Sequence, residues 1–129
     1  MKFHKDGTKP SLKQIFVFGS NLAGIHGAGA AQAAKLFYDA VPGIGIGVTG
    51  YSYAIPTKDQ NIKTLSLDII QQYVWAFIKY SKANPELEFF ITRVGCGLAG
   101  YEDKDIAPMF KECGDNCSFA EQWKEYLEV

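Results

Sequence analysis

Apolar residues fall along the chain in two kinds of run, short continuous ones bounded by glycine or proline and longer ones with helical spacing. Residues 14–19 (QIFVFG) are apolar, aromatic and β-branched and end on glycine, which predicts a buried strand. Residues 28–38 are dense in alanine and close on Leu36 and Phe37, which predicts a helix stopped by Pro42-Gly43. Residues 43–50 form a glycine-punctuated loop, and residues 51–55 (YSYAI) a strand closed by Pro56. Leu67, Ile70, Val74, Phe77 and Ile78 keep helical spacing behind a cap at Thr64 or Ser66, and Asn84-Pro85 ends that helix. Residues 87–92 (LEFFIT) predict a second buried strand. A helix follows within residues 102–111, where Pro108 suits a first turn. Residues 116–119 are expected to form a short edge strand and residues 121–127 a terminal helical turn.

Strands that alternate with helices imply an α/β fold, a largely parallel sheet flanked by helices. In such sheets ligands bind outside the carboxyl ends of the strands. The 129 residues are read as one domain, residues 1–129, with no repeat, low-complexity tract or linker. A net charge of −1 argues against a protein that grips nucleic acid backbone.

Cys96, Cys113 and Cys117 make no even disulfide framework, and His4 and His26 are isolated, so no metal site and no cofactor are expected. The lysines near the N-terminus are followed by no apolar core, unlike a signal peptide. Residues 14–34 and 36–57 lack Lys and Arg, but glycines and prolines break both stretches, so neither is expected to span a membrane. The default expectation is a soluble, cytoplasmic protein.

Two glycine-rich loops stand at the ligand-binding edge of the expected sheet. The first, residues 19–31 (GSNLAGIHGAGAA), can bring backbone N–H groups close to a ligand and precedes a helix N-terminus, a combination suited to phosphate. A tight turn with close helix packing is the alternative. It is neither a P-loop, since Ile25-His26 follows Gly24, nor a complete dinucleotide fingerprint. The second, residues 93–103 (RVGCGLAGYED), again joins an apolar strand to a helix. Two such loops from separate strands predict a shared diphosphate site.

These segments resemble the macro domain family, whose members bind ADP-ribose and in many cases hydrolyse ADP-ribosyl bonds. HGAGAAQAAKLF (residues 26–37), GYSYAIPTKD (residues 50–59) and RVGCGLAG (residues 93–100) are most similar to the terminal ADP-ribose protein glycohydrolase branch and to its compact bacteriophage-associated relatives. The likeness covers about residues 15–110. It implies a three-layer sandwich in which a mixed, mostly parallel sheet lies between helices.

The resemblance implies that Gly27, Ala28 and Gly29 meet one side of the diphosphate, and that Gly95, Cys96, Gly97 and Leu98 meet the other side and the distal ribose. Asn21 matches an asparagine that orients that ribose, and Lys58 a lysine that attacks its anomeric carbon. Those two are the candidate catalytic residues. Ala31 and Ala99 stand where family hydrolases carry aspartates, and the N-terminal strand with an adenine-binding aspartate is absent or reduced to residues 1–11.

Gly19, Ser20, Gly24, His26, Ala99 and Gly100 complete the candidate ligand contacts. Tyr101 is a candidate cover for a ribose or base, with core packing as the alternative. Cys96 is either a reactive thiol or a small filler, and Asp59 is expected to keep Lys58 charged. Asp103 and Asp105 are expected to serve a helix dipole, and Trp75 and Trp123 to pack. Three functions compete. The chain binds or hydrolyses ADP-ribosyl groups, with ADP-ribosylated protein or nucleic acid as partner. Alternatively it sequesters a cyclic ADP-ribose type of signal, or it is a partner-binding domain with vestigial loops.

Overall fold

The computed structural model describes residues 1–128. The strands β1 (Lys2–His4), β2 (Gln14–Asn21), β3 (Gly47–Thr49), β4 (Ser52–Lys58), β5 (Glu88–Ile91) and β6 (Cys117–Ala120) form one sheet of order β1-β6-β5-β2-β4-β3. All neighbours pair in parallel except β3, which runs antiparallel along β4. The helices are α1 (Gly29–Phe37), α2 (Leu67–Ala83), α3 (Asp103–Ile106) and α4 (Lys124–Leu127), with 3₁₀ turns at Ala107–Phe110 and Glu121–Trp123.

Alternation along the strands assigns side chains to two faces. Val17, Tyr53, Ile55, Phe89, Ile91 and Phe119 face α2 and the C-terminal turns, where the larger core forms around Phe77, Phe110 and Trp123. Phe16, Phe18, Ala54 and Phe90 face the other way, toward Ala31 and Ala34 of α1. Helices therefore cover both faces of an α/β sheet. The α1 face is the thinner one, because alanines bring a nine-residue helix close and little else covers it. No helix among the described residues is long and apolar enough to cross a membrane.

Several boundaries differ from expectation. The strand at residues 51–55 runs on through Pro56 to Lys58, because β3 pairs with β4 only as far as Ala54. Past that point the outer flank of β4 has no strand partner, which is where a sheet tolerates proline. Part of the expected loop at residues 43–50 is β3 itself. The C-terminal strand is not an edge: β6 lies between β5 and β1, since the first residues of the chain add a short strand outside it. Helix α1 stops before Pro42, where Asp39 turns the chain with a φ of 58° and Ala40 N–H donates to Ala34 O. Ser66 precedes α2, but its hydroxyl makes no capping bond, and Thr64 Oγ1 donates instead to Ala99 O. Trp123 is fully buried as expected, whereas Trp75 lies on the exposed side of α2.

Phe77 sits at the centre of the larger core, edge-on to Tyr53 at 5.0 Å and to Phe89 at 5.2 Å. Phe77→Ala leaves a cavity between α2 and the sheet and is expected to lower unfolding free energy by about 3–5 kcal/mol. Urea denaturation checks this, and a loss under about 1 kcal/mol would place the core elsewhere.

Candidate functional site

Strands β2 and β4 end side by side, with Asn21 in register with Lys58, and β5 stops earlier, with Ile91 beside Val17. The register shifts between Ser20 and Asn21, an irregularity of the kind that re-aims side chains beside binding sites. A cavity of about 790 Å³ opens over these ends and runs along the α1 face of the sheet. That volume suits a ligand of nucleotide size. Gly19, Ser20, Asn21, Gly27, Ala28 and Gly29 line it from the first loop, Gly95, Cys96, Gly97, Leu98 and Ala99 from the second, and Lys58 from the end of β4. The two loops touch: a Cβ at Gly19 would meet Gly95 N at 3.4 Å, and one at Gly29 would meet Leu98 Cδ1 at 3.5 Å.

Four expected contacts lie outside this lining. Gly24 is a packing glycine, with a φ of 70° and room for no Cβ, since Gly43 C would stand 2.2 Å away. Gly100 closes a turn on Gly97 O. Tyr101 does not cover the cavity; its hydroxyl donates to Leu65 O at 2.7 Å and its ring packs on the core. His26 is buried edge-on against Phe18, and neither ring nitrogen has a hydrogen-bond partner.

Other expected residues line the cavity but hold the loops as well. Asn21 Nδ2 donates to Ile25 O at 2.8 Å and its Oδ1 accepts Ile25 N–H at 3.0 Å, so the side chain clamps the first loop. Ser20 Oγ donates to Gly45 O. The Asp59 carboxylate accepts the N–H groups of Asn61 and Lys63 and forms no ion pair with Lys58 among the described residues. Burial, with the nearby Asp103 charge, pushes the Cys96 thiol up to about 12, which favours the filler over the reactive thiol, and its Sγ lies 3.5 Å from Val94 O. Cys113 and Cys117 are buried, unbridged thiols.

Sequence reasoning missed the apolar half of the cavity. Phe16 stacks on Tyr38 at 4.5 Å and lies beside Phe90 at 6.3 Å, whose far side carries His4 at 3.7 Å. Strand alternation signalled the shared face of Phe16 and Phe90, but nothing signalled that the cavity reaches these two buried rings. Asp6, Gly7, Thr8 and Lys9 wall this end and carried no motif.

Arg93 was missed too. Its Nε and Nη2 grip both oxygens of Asp103 at 2.8 and 2.7 Å, and Nη1 reaches Asp6 at 3.5 Å. Trp123 Nε1 donates to Asp103 Oδ1 at 2.7 Å. Asp103 thus anchors the second loop while standing, as expected, in the first turn of α3, where Asp105 accepts the Glu102 N–H. Comparison with protein-family models, curated proteins and solved structures finds no match to this chain.

Burial would raise the Asp103 pKa, but the hydrogen bonds from Arg93 and Trp123 outweigh it and hold the carboxyl below its ordinary value of 3.8. A depressed carboxyl stabilises the fold fully above its unfolded pKa, and that contribution fades as pH falls through the folded one. Asp103→Asn is therefore expected to be less stable at neutral pH and to lose less stability than the parent below about pH 4. Urea midpoints measured from pH 2 to pH 7 check both halves, and parallel curves would show that Asp103 carries no linked charge.

Proposed function

We propose that this chain binds ADP-ribose or a closely related NAD-derived nucleotide, with the diphosphate between the two glycine loops. One observation carries the reading. Gly27 and Gly97 face the cavity from opposite loops, and neither has a positive φ. A Cβ at Gly97 would meet nothing within 4 Å, and one at Gly27 only the Ile25 side chain at 4.0 Å. Neither backbone strain nor protein packing requires glycine there. What glycine leaves is open space beside exposed backbone, which an anion can enter.

The electrostatics agree. Ala28 offers α1 no side-chain cap and its first turn has no acid, so its leading N–H groups remain for a phosphate. The N–H groups of Gly97, Leu98 and Ala99 also donate to no carbonyl among the described residues. Phe16 and Phe90, stacked on Tyr38 and His4, bound the apolar end of the lining, and Lys58 and Asn21 stand at the end suited to the distal ribose. The resemblance to the macro domain family supports the same ligand. The lining also favours binding over turnover. Ala99 brings a methyl, and the one carboxylate of the lining, Asp6, faces Arg93 at 3.5 Å. The Asp59 carboxylate next to Lys58 accepts the N–H groups of Asn61 and Lys63 and lies outside the cavity lining.

Calorimetric titration with ADP-ribose tests the binding. Gly97→Glu and Gly27→Glu each place a carboxylate in the cradle and are expected to weaken affinity by about two orders of magnitude or more, since a like-charge contact costs several kcal/mol. Retained affinity in both folded variants, their folding checked by thermal melts, would put the ligand elsewhere.

Product analysis with ADP-ribosylated protein and nucleic acid tests turnover. Slow or no release of ADP-ribose is expected from the parent, and none from Lys58→Ala, whose binding persists. Rapid release by the parent would overturn the binding reading, and release that survives the substitution would remove Lys58 from the chemistry.

A further inference from the structure

The connection from α1 into β3 reads Ile44-Gly45-Ile46-Gly47-Val48, an alternation that places its side chains on the wrong side for a monomer. Ile44, Ile46 and Val48 are exposed by 38%, 53% and 47%, whereas a Cβ at Gly45 would fall 2.0 Å from Asn21 O. Gly45 is thus packed against the body of the domain, Gly47 has open space where a Cβ would stand, and the β-branched residues are turned to solvent, the reverse of a half-buried strand. The same ribbon forms the open edge of the sheet, because β3 pairs on one side only.

Edge strands are normally protected by lysine or an inward charge. Here residues 36–57 hold no Lys or Arg and a single acid, Asp39. Val41 and Tyr51, both about half exposed or more, extend the apolar strip at either end.

We propose that this edge is a homodimer interface, in which the ribbon of one chain lies antiparallel to that of a second copy about a two-fold axis. Charge selects the occupant. Apart from Asp39 at its end, the strip carries no charge to attract an acidic or basic partner or an anionic membrane surface, and none to repel its own copy. A row of Ile and Val meeting itself is self-complementary, as an isologous interface requires. The exposed apolar side chains of the strip amount to roughly 500 Å², within the range of the largest patches on monomers, and pairing adds the main chain of the edge toward the ~800 Å² per partner of a stable complex.

Sedimentation equilibrium or light scattering across a dilution series, without ligand, tests this independently of any nucleotide. The expected result is a mass of twice 14.3 kDa that falls to 14.3 kDa on dilution. Ile46→Lys and Val48→Glu, both at exposed positions, are each expected to give the single-chain mass at every concentration, with an unchanged circular dichroism spectrum. A parent that stays monomeric throughout overturns the proposal. So does a dimer that survives both substitutions, or a monomer that instead floats with phosphatidylcholine vesicles.

Discussion

The structure turns on the burial of β2 from all four sides. Phe16, Val17 and Phe18 are buried, and at Phe16 and Val17 β4 and β5 hold both flanks of the backbone. A strand so enclosed has its main-chain groups satisfied only while both neighbours stay in register. Its chain can leave only at the carboxyl end, between the ends of β4 and β5. The convergence of the first glycine loop, Lys58 and the second glycine loop is therefore a property of the sheet, set before any ligand is considered.

What could be read from the sequence follows from this. The apolar runs of β2 and β5 and the spacing of α2 announce elements whose surroundings are apolar on every side, so local pattern and tertiary context agree. The failures occur where neighbours decide. Pro56 continues a strand because of what β3 leaves unpaired, and β6 is interior because three residues at the start of the chain add to its far side. Neither fact is present within the segment concerned.

The site divides in the same way. That Gly27, Gly29, Gly95 and Gly97 share one cavity was legible, because both loops follow strands at the same edge of the sheet. Their individual purposes were not: Gly24 and Gly97 look alike in sequence, yet one fills a crowded turn and the other faces open space. Arg93, Asp103 and Trp123 join residues far apart in the chain, and each reads alone as an ordinary surface or core residue. His26 shows the reverse error, a polar residue that local logic placed toward the ligand and that packing placed beneath it.

The Asn21 clamp has a kinetic consequence. By holding both the N–H and the carbonyl of Ile25, the carboxamide fixes the approach to Gly27. Much of the ordering entropy of that loop is then lost during folding rather than on encounter. A pocket built in this way would admit a ligand without waiting for the loop to form, leaving the lifetime of any complex to the contacts themselves.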